Sequence, residues 1–239
     1  MISVDVTASR ETDLPAATSP LRLFLAVRPA RAVLAITVLL GALAAWFGLI
    51  QTPIPTSIED GKAIIPLWRM IAMGAGILPV LALTSPLADL ELVATQRLRS
   101  MQRRYLAGLS IGCAAIYLAI CGTVLHPAVV AIIARAWIAW FGLALLAGAI
   151  LGWRLAWTLP AATAAVLWYW GYSGSQHYYW WEFSARPHND LPSLFLSAAL
   201  LAAGLVAYAA TPWRRRRWTW RLPRPKPSPP TSTSTSTST

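Results

Sequence analysis

The sequence is poor in acid. It holds nine Asp and Glu against 20 Lys and Arg in 239 residues, and charged residues of both signs make up only 12%. Soluble domains draw about a quarter of their residues from the charged set, so a water-facing globule is a poor description of this chain. Cysteine is nearly absent as well. Cys113 and Cys121 stand eight residues apart in one apolar run, about 12 Å along a helix, too far for a mutual disulfide. They read as small packing residues and carry no information on redox compartment. No Gly-rich phosphate loop is present, so the chain does not hydrolyse nucleotide by itself. HExxH, CxxC and GxSxG are also missing, and the expectation is a protein that is not an enzyme and holds no cofactor and no metal.

What the chain has in quantity is apolar length. It is 56% hydrophobic with 13 Trp, and several runs reach the roughly 20 residues needed to cross a hydrocarbon core of about 30 Å. The expected fold class is all-α: a polytopic integral membrane protein of six transmembrane helices, with a cytoplasmic amphipathic helix between spans 2 and 3. The spans are placed at about 32–50, 63–84, 105–125, 136–151, 155–172 and 192–210. Residues 1–19 read as a disordered lead, 20–212 as the transmembrane domain, and 213–239 as a basic tail that decays into a disordered Pro, Thr and Ser tract. Pro20–Arg31 mixes leucines with Arg22, Arg28 and Arg31, as a segment lying in the interface does.

Two arginines fall inside apolar runs. Arg69 lies near one end of the second span, where it is expected to snorkel outward or to meet Glu59 or Asp60. Arg135 interrupts the fourth run, and burying it in hydrocarbon costs about 3 kcal/mol or more. An interfacial elbow over 128–134, followed by the true crossing from Ala136, avoids that cost. With both termini inside, 16 of the 20 basic residues fall on the inner side and only Lys62, Arg69, Arg135 and Arg186 on the outer. The positive-inside rule therefore places the protein in the plasma membrane with both termini cytoplasmic.

Ser85–Arg104 (SPLADLELVATQRLRSMQRR) is the longest polar interruption. Leu87, Leu90, Ala94, Leu98, Met101 and Tyr105 recur at spacings of three and four, forming one stripe on a helix. Ser85 suits a cap, Pro86 the first turn, and Arg97, Arg99, Arg103 and Arg104 crowd the end that favours cations. The segment reads either as a lipid-hugging linker or as a docking helix for a cytoplasmic partner, with Leu87, Leu90, Leu98, Met101, Arg97 and Arg99 at the contact. Arg214, Arg215, Arg216 and Arg217, beside Trp218, read as an anchor for anionic lipid, each contributing about 1 kcal/mol near the surface. Nucleic acid is not an expected partner. Gly108-x-x-x-Gly112 has helix-packing spacing.

Catalytic residue types concentrate only in Gly174–Leu191 (GSQHYYWWEFSARPHNDL), which holds His177, Glu182, His188 and Asp190. Imidazole and carboxylate can ligate metal, but the spacing matches no helical ligand pair. The aromatic run Tyr178, Tyr179, Trp180, Trp181 and Phe183 reads instead as a short re-entrant or interfacial helix inserted in the outer headgroup layer. No Asp, Glu or His falls at mid-membrane, which argues against a self-sufficient ion-coupled transporter.

In layout the chain resembles a permease subunit of an ABC exporter of the type-2 class. Pro20–Arg31 stands where that family has an interfacial connecting helix, Ser85–Arg104 where it has a coupling helix, and Gly174–Leu191 where it has re-entrant helices. The resemblance implies a transmembrane permease coupling through helix 85–104 to a separate cytoplasmic ATPase subunit, and pairing with a second permease copy or paralogue. It departs from that pattern in a very short inner loop, Gly152–Arg154, and in lacking a helical hairpin in the outer loop. The alternative expectation is a non-transporting membrane scaffold or accessory protein.

Overall fold

The computed structural model describes residues 29–55, 62–84, 96–171 and 178–219. The described residues form six α-helices: α1 (Ala30–Phe47), α2 (Trp68–Leu81), α3 (Gln96–Val124), α4 (Pro127–Leu151), α5 (Thr158–Trp170) and α6 (Leu191–Thr219). Four of them carry stretches long and apolar enough to cross a membrane: Ala30–Phe47, Ser100–Val124, Pro127–Leu151 and Leu191–Ala210. The other two, α2 and α5, have 14 and 13 residues. At 1.5 Å per residue these reach only about 20 Å, short of a 30 Å core.

α2 is short because the residues just before it are not helical. Gln51–Pro55 (β1) and Lys62–Pro66 (β2) pair antiparallel, with Thr52 opposite Ile65. The Thr52 hydroxyl donates to the Ile65 carbonyl at 3.0 Å. Ile64 and Ile65 are β-branched, and Pro66 disfavours helix at the residue before it. Pro53 and Pro55 are tolerated because each strand has a single neighbour. The described residues are mostly helical, as expected, but the span beginning at Ala63 is corrected: Ala63–Pro66 is strand, and the helix starts at Trp68.

α4 is the axis of the bundle. It packs most extensively on α6 and α2, and Trp140, Ala144 and Leu145 are fully enclosed. Where α4 crosses α6 the backbones meet. A Cβ on Gly142 would lie 2.6 Å from the Leu200 carbonyl, and one on Gly204 would collide with the Gly142 carbonyl. Only glycine permits that approach. The Gly108 and Gly112 pair does not pack in this way: a Cβ on either would meet nothing within 4 Å.

No elbow breaks the fourth span. α4 runs straight through Arg135 from Pro127, with Pro at the first turn and the His126 ring nitrogen accepting from the Ala128 amide at 3.3 Å. Residues 96–104 likewise do not form a separate surface helix. They are continuous with the third span in one 29-residue helix, while 85–95 lie outside the described residues. The backbone of α6 stays helical to Thr219, so the basic segment begins as helix rather than as tail; 220–239 are outside the described residues.

Candidate functional site

The half-length of α2 and α5 leaves a step at the end of the bundle marked by the His126 turn, and a non-helical segment fills it. Residues 178–190 form successive turns rather than the helix expected there. The Tyr179 amide donates to the Gly171 carbonyl at 3.2 Å, which joins the segment to the end of α5. From there the chain turns inward. Phe183 is 2% exposed and packs edge-on against Trp140, 4.9 Å between ring centroids, among Ala136, Ala139, Ala164 and Leu167. Trp140 lies 13 residues into α4, about 20 Å along its axis, so Phe183 reaches the middle of that helix. Phe183 was expected to insert outward with its neighbours; instead it is core.

Irregular backbone at such depth has carbonyls and amides that no helix satisfies, and an apolar surrounding makes each one costly. Two arginines answer that cost. Arg135, 4% exposed, donates from Nε to the Phe183 carbonyl at 3.1 Å, from Nη1 to Pro187 at 2.8 Å and from Nη2 to Arg186 at 2.6 Å. All three nitrogens are spent on main chain. The fork of a guanidinium suits this, since its planar donors diverge to reach successive carbonyls.

Arg69 enters from the first turn of α2. Its Nη2 donates to Glu182 Oε1 at 2.6 Å and to the Ser184 hydroxyl at 2.7 Å, and its Nε reaches the same hydroxyl at 3.2 Å. Glu182 Oε1 also accepts from the Ser184 amide at 3.2 Å and from its hydroxyl. Both partners of the ion pair are almost fully buried, so neither snorkels to water; Glu59 and Asp60, the other partners expected for Arg69, lie outside the described residues. Glu182 Oε2 has no hydrogen-bond partner among the described residues. It lies against the Cα of Gly171, where any Cβ would overlap it.

The segment closes on the start of α6. Arg186 Nη2 meets Asp190 Oδ1 at 2.9 Å, and Asp190 Oδ2 accepts from the Ser193 amide at 3.0 Å, capping the helix. Desolvation opposes charge on Asp190, but the Ser193 hydroxyl and amide, then Arg186 and Arg135, outweigh it and hold the carboxyl below its ordinary range.

Among the described residues the candidate catalytic set does not assemble. Glu182 is committed to Arg69, Asp190 to Arg186 and Ser193, His188 is exposed, and His177 lies outside the described residues. Among the described residues no three His, Cys, Asp or Glu side chains come together as metal ligands. Of the expected coupling residues, Leu87 and Leu90 are outside the described set, Arg97, Leu98 and Arg99 stand on the first turns of α3, and Met101 is half-buried. Arg214–Arg217 and Trp218 belong to the last turns of α6. Tyr178 is half-buried, while Tyr179, Trp180 and Trp181 are exposed, with Tyr179 and Trp181 stacked at 4.6 Å.

Sequence reasoning singled out each of these residues but not their association. Arg69 and Glu182 are 113 positions apart, and the partners of Arg135 are carbonyls, which a sequence does not distinguish. Comparisons with protein-family models, curated proteins and solved structures gave no match.

Proposed function

We propose that this chain crosses a membrane six times and acts there as a non-transporting scaffold or accessory subunit. One observation carries the reading. The charges set within the bundle are spent on fixing a segment of backbone: three nitrogens of Arg135 on three carbonyls, and Arg69 on Glu182 and Ser184. Arginines that serve a translocation path must exchange partners with cargo or water during the cycle. Donors committed on all three nitrogens to main-chain carbonyls favour a rigid cap instead, presented at the end of the bundle by two helices too short to reach it. The positive-inside distribution assigns that cap to the outer face and the basic ends of α3 and α6 to the cytoplasm.

A second reading is favoured by α3. Its membrane-length stretch Ser100–Val124 continues without a break into Gln96–Arg99, so a push on Arg97, Arg99 and Met101 would travel along one rod into the bundle. That suits a permease subunit driven by a cytoplasmic ATPase, paired with a second copy or paralogue.

Affinity purification in mild detergent from the native host, followed by mass spectrometry, separates the two. The scaffold reading predicts a stoichiometric partner without nucleotide-binding motifs, retained when Arg97 and Arg99 are changed to Glu. A stoichiometric Walker-type ATPase, lost in the same variant, would establish the permease reading in its place.

A further inference from the structure

We infer that the exposed aromatic face formed by Tyr169, Trp170, Tyr179, Trp180 and Trp181 is a docking surface for phospholipid headgroups of the outer leaflet, seated at the headgroup–acyl boundary. The inference rests on the membrane-spanning reading and goes beyond it in assigning a site and its ligand class.

The two groups of rings lie at the same end of α5. Tyr169 and Trp170 end α5, with their rings edge to face at 4.6 Å. The Tyr179 amide is bonded to the carbonyl of Gly171, the next residue after Trp170, which sets the second group beside the first. Trp180 and Trp181 follow at 5.8 Å, also edge to face. Trp180 is 61% exposed, Trp170 53% and Tyr179 42%. Rings this exposed, stacked mainly on one another, are held in place by the buried residues just beyond them. Glu182 and Phe183 anchor the following turn to Arg69 and Trp140, so Trp180 and Trp181 are held from the adjoining residues.

Its chemistry suits a boundary. Indole and phenol are apolar over most of their area and bear one hydrogen-bonding group, which fits neither bulk water nor hydrocarbon as well as the zone between them. Its depth follows from helix length. α5 has 13 residues and α2 has 14, about 20 Å each, whereas α4 has 25 residues, about 37 Å. Beside the short helices the hydrocarbon must end sooner, by local thinning or by headgroups descending toward the step. The aromatic face lies at the end of α5, where those headgroups would be met. A carbohydrate or protein ligand would require the rings to stand clear of the bilayer, and the shortness of α5 opposes that.

The test uses the full-length protein in phosphatidylcholine–phosphatidylglycerol vesicles whose acyl chains carry bromine either next to the headgroup or near the chain ends. The difference in emission between the wild type and the Trp180→Phe, Trp181→Phe variant isolates these two indoles. The expected result is that this difference signal is lost chiefly with the shallow bromine. A signal unquenched by either lipid, or quenched most by the deep bromine, would overturn the proposal. Trp170→Phe reads the same face from α5 and is expected to give the same pattern, so the test survives failure of either variant to fold. Resistance of the protein to alkaline carbonate extraction checks the spanning reading separately. Removal by carbonate would reject that reading, whereas an aqueous Trp180 in a carbonate-resistant protein would reject only the headgroup site.

Discussion

Arg69 and Arg135 solve the same problem with different partners. Both sit in apolar helices, both are nearly inaccessible, and both face residues 182–187. Arg69 meets a carboxylate, so its charge is neutralised by a side chain that can be changed together with it. Among the described residues Arg135 meets carbonyls alone at hydrogen-bond distance, and Asp190 contributes only through its field. The first is an ion pair in which opposite charges offset one another's desolvation. The second is a solvation site in which a cation replaces water for backbone that a membrane would otherwise strip bare. A buried pair can be exchanged for apolar residues, but backbone carbonyls cannot be mutated away. The anchor at Arg135 should therefore be the less replaceable of the two.

That comparison can be broken in several ways. Arg135→Ala should have the largest effect, because the buried Phe183 carbonyl and the part-buried Arg186 and Pro187 carbonyls all lose their donors, at up to about 1–3 kcal/mol each. A large drop of the thermal midpoint in detergent is expected, and Arg135→Lys should recover little of it, since an ammonium lacks the divergent fork. Next comes Arg69→Ala, which strands Glu182 at a cost of about 3–5 kcal/mol. The double variant Arg69→Met, Glu182→Met should regain most of that loss; a double-mutant cycle on denaturant midpoints measures the coupling. Gly171→Ala should cost less, about 1–3 kcal/mol, because a Cβ there would meet the Leu167 carbonyl and the Glu182 carboxylate, and the double variant should relieve only the part due to Glu182.

The smallest expected effect is at Asp190. Its folded carboxyl is held below the ordinary range, so its contribution is present above the unfolded value, about 3.9, and fades as pH falls through the lower folded value. A melting series below pH 4 should therefore show a shallow acid-side decline that Asp190→Asn flattens. An unchanged slope would mean that the Ser193 cap and the Arg186 contact contribute nothing to the fold.

Much of the helical order was legible because apolar run length is written directly in the sequence. The ends of α1, α3 and α4 follow from Pro29, His126-Pro127 and Gly152. Two errors share one cause. The elbow at 128–134 and the outward snorkelling of Arg69 both assumed that a cation in an apolar run must find water, when a folded segment 48 or more positions away supplied the acceptors. Main-chain carbonyls are present at every residue and so leave no mark on composition. The strand Lys62–Pro66 was hidden because Ala63, Ile64 and Ile65 extend an apolar run that periodicity cannot divide over so few residues. Glycine spacing misled for a related reason: Gly108 and Gly112 share a helix, whereas the contact that matters joins Gly142 to Gly204 across two helices.

The central claim is that the buried arginines hold an irregular segment in place of water, and amide hydrogen exchange in detergent tests it most directly. Wild-type protein and Arg135→Ala should differ in peptides covering 178–190, with faster exchange in the variant, while the middle of α3 around Cys113 and Tyr117 keeps its protection. Equal exchange in 178–190, or loss of protection spread evenly through the bundle, would contradict the account.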